Sequence, residues 1–99
     1  MPLSGNEPFV RLLKRLARQE RRIADFLEQR AVTWFSKRNV VGFGVGRKLD
    51  GPAPYFYVSR KVPWQQLSPN DRLPSELTIG GSRFRTAVFE ASLHGHRNH

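Results

Sequence analysis

The chain is 99 residues long, one domain's worth, with 17 Lys+Arg against 8 Asp+Glu, a formal net charge of +9 and no cysteine. Disulfides, thiolate metal ligands and cysteine nucleophiles are therefore excluded, and 38% apolar with 25% charged residues places the chain among globular rather than disordered sequences. The positive balance favours polyanionic partners: nucleic acid, anionic lipid or an acidic protein.

Residues 1–6 read as a flexible lead-in. They lack a basic stretch followed by an apolar one, so no secretory signal is expected. No apolar run approaches the roughly 18–20 residues that span a bilayer. A cytoplasmic protein held by packing alone is the expectation.

Residues 7–37 carry a helical pattern free of Gly and of any Pro after Pro8. Phe9, Leu12, Leu13, Leu16, Ile23, Leu27 and Trp34 recur at three- and four-residue steps and form one apolar stripe. Asn6 suits the N-cap, Glu7 the positive helix start, and Pro8 the first turn. Lys37, Arg38 and Asn39 suit the negative end. Arg11, Lys14, Arg15, Arg18, Arg21 and Arg22 fall within an arc of about 120° away from the stripe. That arc is either a solvated face with pairs such as Arg21–Asp25 or a docking surface for a polyanion.

Residues 39–48 change to a period of two, with Val41, Phe43 and Val45 alternating with Gly42, Gly44 and Gly46. Three glycines in a strand call for close approach of another backbone or of the helix. The run is not a phosphate loop, because it lacks the G-x-G-x-x-G spacing and a following helix. Asp50-Gly51-Pro52 marks a turn, and residues 55–62 form a second strand in a hairpin with the first. Its Phe56, Val58 and Val62 face the core; Tyr55, Tyr57, Ser59 and Lys61 face away. Residues 63–81 are a Pro-rich connector. One short turn is expected at 64–67, and another at 68–71 with Pro69 in its first position. Leu67, Leu73, Leu77 and Ile79 fold it back onto the core. Residues 82–91 alternate again as a third strand, with Phe84, Thr86 and Val88 on one side and Arg83, Arg85, Ala87 and Phe89 on the other. Residues 92–99 are a flexible tail.

The expected fold is therefore α+β: one long amphipathic helix packed on a small, three-stranded antiparallel sheet, over residues 7–91. Tyr55, Tyr57, Lys61, Arg83 and Arg85 would share the sheet face away from the helix, where aromatic rings beside cations stack bases or simply face solvent. Trp34, Phe35 and Trp64 are expected in the core. His94, His96 and His99 lie in the tail with no acid to orient them, so no metal is assigned. Asp71, Glu76 and Glu90 are not paired by spacing. No catalytic residue, cofactor or small-molecule substrate is indicated.

Several blocks carry a resemblance. "NVVGFGVGRK", "YFYVSRKVP", "LSPNDRLPSEL" and a last strand ending "AVFEA" resemble the region upstream of the protease domain in a family of bacterial trypsin-like serine peptidases, to which plant NARROW LEAF 1-type proteins are similar. In that family a Gly-rich strand precedes an aliphatic strand ending in a basic pair and "VP", then a Pro-rich linker and a strand ending in a "DVVE"-like motif. The match spans about half of this chain, which has "TAVFE" where the family carries "TDVVE" and stops where the peptidase domain begins. The resemblance implies a non-catalytic accessory module, and no family catalytic residue transfers. Acyl transfer needs a held Ser, His and carboxylate, and Gly80-Gly81-Ser82 is not on a strand-to-helix turn. The first functional expectation is thus protein–protein contact or self-association. Nucleic-acid binding through the basic arc and the tyrosine face is the second. Binding of an anionic membrane surface by the amphipathic helix is the third.

Overall fold

The computed structural model describes residues 7–91. The lead-in with its Asn6 cap and the tail with its three histidines lie outside the described residues. Helix α1 runs over Glu7–Gln29. A second, short helix, α2, follows over Ala31–Ser36. The single helix expected to residue 37 is thus broken at Arg30, whose φ of −114° and ψ of 22° leave the helical well. The break is stabilised locally. The Arg30 N–H and the Trp34 indole Nε1–H both donate to the Leu27 carbonyl, at 3.1 and 3.0 Å, satisfying an acceptor that the helix end would orphan. The turn it creates swings Trp34 onto Phe56 in an edge-to-face contact at 5.0 Å.

Strands β1 (Val40–Lys48) and β2 (Gly51–Val58) form an antiparallel hairpin around Leu49-Asp50. β2 begins four residues before the expected position and ends before Ser59. It carries Pro52 and Pro54 although it lies at the sheet centre. Its second neighbour pairs only with Tyr55–Val58, so the proline stretch has one free side and lacks no ladder bond there. A bulge between Val40 and Gly42 inserts Val41 and leaves both Val40 and Phe43 on the core side.

The connector holds short 3-10 turns at Trp64–Gln66 and Pro69–Asp71, with Ser68 and Pro69 placed as expected. It also contributes a strand that the pattern did not reveal. β3 (Glu76–Ile79) pairs antiparallel with β4 (Ser82–Arg85) in a separate two-stranded sheet. Gly80 and Gly81 close this hairpin with φ of +57° and +84°, the geometry of a two-residue primed turn that disfavours side chains. The expected third strand is therefore two strands. At Thr86 the chain leaves the β3–β4 ladder, its N–H bonded to the Ser75 carbonyl at 3.0 Å and its hydroxyl to the Pro74 carbonyl at 2.6 Å. β5 (Ala87–Glu90) then joins the main sheet, in the order β1-β2-β5, running parallel to β2 rather than antiparallel. The β3–β4 excursion supplies the crossover that a parallel pair needs.

The architecture is α+β, with the long helix on a small sheet beside a second, two-stranded one. The core joins Ile23 and Leu27 of α1, Trp34, Val40, Phe56, Val58 and Ile79. Leu73, Leu77, Phe84 and Val88 pack at its margin. No described helix is long and apolar enough to cross a membrane.

Candidate functional site

Only the C-terminal half of α1 lies on the sheet. Glu20 marks the boundary: Arg47, near the end of β1, donates to its carboxylate at 2.6 Å through Nε. That hydrogen bond and charge hold the Glu20 carboxyl below its ordinary value of 4.5. Beyond Glu20 the apolar stripe continues, but its cover does not. Phe9, Leu12 and Leu13 are 61%, 42% and 41% exposed, although they share the helix side of the fully buried Ile23 and Leu27. The expectation that the whole stripe covers the sheet is thus corrected. The sheet ends about three turns too soon.

The basic arc remains a solvent face. Arg11, Lys14, Arg15, Arg18, Arg21 and Arg22 are all exposed. Arg11 meets Glu7 at 3.7 Å, while the expected Arg21–Asp25 pair is not formed. Among the described residues, no carboxylate lies within 4.0 Å of Lys14, Arg15, Arg18, Arg21 or Arg22. Arg22 reaches the Gly80 turn of the β3–β4 hairpin.

The proposed sheet-face group is not assembled. Tyr55 and Tyr57 do face away from α1, where both pack on Phe89 with ring centroids 4.8 and 5.9 Å apart. Arg83 and Arg85 sit on β4 in the other sheet, and Arg83 leans on Glu76 at 3.7 Å. Lys61 lies past the end of β2, its backbone N–H donating to Glu90 Oε1 at 2.8 Å. Of the three strand glycines only Gly46 is required by a close approach, and it is that of a side chain rather than the expected backbone or helix. The Tyr55 ring covers Gly46, where a Cβ would overlap it, and its hydroxyl donates to the Arg47 carbonyl at 3.1 Å. Tyr57 sits 3.6 Å from the position of a Cβ on Gly42.

Sequence reasoning missed a cleft of about 450 Å³ at the far end of the sheet, under the connector. Its walls come from the α2–β1 junction, the end of β2, residues 60–73 and Val88. Asn39 ties these parts together in a left-handed conformation (φ 85°), which asparagine tolerates. Its carbonyl accepts the Ser59 N–H at 2.8 Å, its Nδ2 donates to the Arg60 carbonyl at 2.7 Å, and its Oδ1 accepts the Ser59 hydroxyl at 2.6 Å. Trp64, expected in the core, stands 57% exposed with the Arg72 guanidinium stacked 3.8 Å above it. The Asn39 bonds join residues 20 and 21 positions apart, so no local motif announces them. An asparagine just past the helix end, a residue type that tolerates the left-handed conformation, was the one available signal.

Asp71 fastens the connector. Its carboxylate accepts the Arg38 N–H and the Ser68 hydroxyl, each at 2.9 Å, and these bonds hold it below its ordinary 3.8. A depressed folded value stabilises the fold above the unfolded aspartate range near 4 and is lost as pH falls through the folded value. Asp71→Asn is therefore expected to lower the urea midpoint at neutral pH. The gap to the parent should shrink on acidification below about pH 4. An equal gap at neutral and strongly acid pH would contradict the charge-based account.

Among the described residues, no three His, Cys, Asp or Glu side chains gather as a metal site would require. No protein-family model, curated protein or solved structure matches the chain.

Proposed function

We propose that this chain is a non-catalytic interaction module that acts through the projecting half of α1, pairing first with a second copy of itself. The observation that carries this reading is the exposure of Phe9, Leu12 and Leu13 in line with the buried Ile23 and Leu27. A contiguous apolar strip beyond the edge of its own domain is a typical interaction surface. The charge layout favours like pairing. The basic arc points away from the stripe, so two stripes meet without opposing cations, and the same strip serves both partners around a two-fold axis. The resemblance of residues 39–91 to the region preceding a trypsin-like peptidase domain fits an accessory role.

Sizing with light scattering over a concentration series tests it. The parent is expected to approach twice the monomer mass as concentration rises. Leu12→Asp with Leu13→Asp should hold the chain monomeric while leaving its circular dichroism unchanged, since neither side chain belongs to the core. A parent that stays monomeric to its solubility limit overturns the proposal.

A second reading rests on the uncommitted arginines of the basic arc. A DNA duplex run in the same experiment tells the two apart. Co-elution that falls steeply with salt, survives in the leucine variant and disappears on changing Arg15, Arg18 and Arg22 to Glu belongs to polyanion binding.

A further inference from the structure

The cleft under the connector has the chemistry of a ligand site in its own right. Val40, Val58, Val62, Leu67, Leu73 and Val88 give it a hydrocarbon lining. Arg38, Arg60 and Lys61 also line it, and all three are exposed. Only one carboxylate, Asp71, lines it, and that group is already occupied by the Arg38 N–H and the Ser68 hydroxyl. Among the described residues, no carboxylate lies within 4.0 Å of the Arg38, Arg60 or Lys61 side-chain nitrogens. Three cations without a salt-bridge partner thus stand beside an apolar hollow, outnumbering the Asp71 and Glu90 carboxylates, which are bonded to the Arg38 and Lys61 backbone N–H groups.

The volume is within the range of small-molecule pockets, about 300–1,000 Å³. At the roughly 30 Å³ that a water molecule takes in the liquid, it admits on the order of 15 non-hydrogen atoms. The geometry points to a binding site for an aliphatic carboxylate of about ten to fourteen carbons. The chain lies along the valines and leucines, and the carboxylate is held by Arg38, Arg60 and Lys61. Burying the tail drives binding at roughly 25 cal/mol per Å² of apolar surface. The guanidinium forks select the anion, because planar N–H pairs match both oxygens of a carboxylate. A cation would meet like charge. A neutral alcohol would gain the tail contacts only.

The test uses the full chain and three probes with ten-carbon chains: decanoate and decyltrimethylammonium below their micelle thresholds, and decanol below its solubility limit. Titration calorimetry reads the affinity, and Trp64, which lines the cleft and is half-exposed, reports occupancy by fluorescence. Decanoate is expected to saturate a single site at least tenfold more tightly than decanol, with no saturable binding of the cation. Changing Arg38, Arg60 and Lys61 to Ala should reduce decanoate to the decanol level. Should that variant misfold, Arg60→Ala alone, which removes an exposed and unbonded side chain, should weaken decanoate and leave decanol unchanged. Val62→Phe, which fills the hollow, should weaken both. Equal affinity for decanoate and decanol, decanoate binding indifferent to the cation variants, or no saturable binding would each overturn the proposal.

Discussion

Phe56→Ala is expected to remove a large share of the fold's stability and to lower its urea midpoint sharply. Phe56 is fully buried at the sheet centre and contacts Trp34 edge-to-face. Truncating a buried phenylalanine costs about 3–5 kcal/mol in lost transfer energy and residual cavity. The ring pair adds roughly 0.5–1.5 kcal/mol beyond area alone. Domains of this size hold only about 5–15 kcal/mol in total. Relaxation into the hole is limited, because Ile23 and Leu27 press from α1 and Val58 from the same strand. Urea unfolding followed by circular dichroism measures the loss, with Phe56→Leu as the milder comparison. A midpoint within error of the parent's would mean that the helix and sheet do not share one core.

Gly46→Ala is expected to destabilise by about 1–3 kcal/mol, the usual range for overpacking, while Gly44→Ala is expected to be neutral or slightly stabilising. The two positions share a strand and a face, yet their surroundings differ. A Cβ on Gly46 would overlap the Tyr55 ring, whereas one on Gly44 has nothing within 4 Å. Tyr55 cannot yield cheaply, because its hydroxyl is bonded to the Arg47 carbonyl and its ring packs on Phe89. Where nothing collides, replacing a strand glycine with alanine recovers about 0.5–1 kcal/mol of backbone entropy. A double-mutant cycle decides the cause. In a Tyr55→Ala background the penalty at Gly46 should vanish. A penalty that persists there would place its origin in the backbone of β1.

Periodicity made much of the fold legible. The apolar steps through Ile23 and Leu27 gave the helix, and the two-residue alternations gave β1, the inward Phe56 and Val58, and the outward Tyr55 and Tyr57. What stayed hidden was each place where a residue changes partner without changing period. Phe84 and Val88 both point to the core, so the alternation runs unbroken through Thr86, although β4 and β5 belong to different sheets. The break at Arg30 is invisible for a similar reason. Trp34 keeps helical spacing with Ile23 and Leu27, and only its indole bond to the Leu27 carbonyl records the bend. The stripe itself misled in one respect, since periodicity states which side of a helix is apolar but not how far its cover extends. The cleft depended on long-range bonds from Asn39 and Asp71, which no window of sequence contains.

The parallel seam between β2 and β5 is expected to close late in folding. The β1–β2 and β3–β4 hairpins each join neighbours in the chain, on the microsecond scale of local closure. β5 must wait until residues 59–86 have been gathered over the helix side, and the entropy of that large loop is spent before any bond to Tyr55–Val58 repays it. Until then β2 keeps a bare flank, the state in which an incomplete chain is most open to pairing with a stranger.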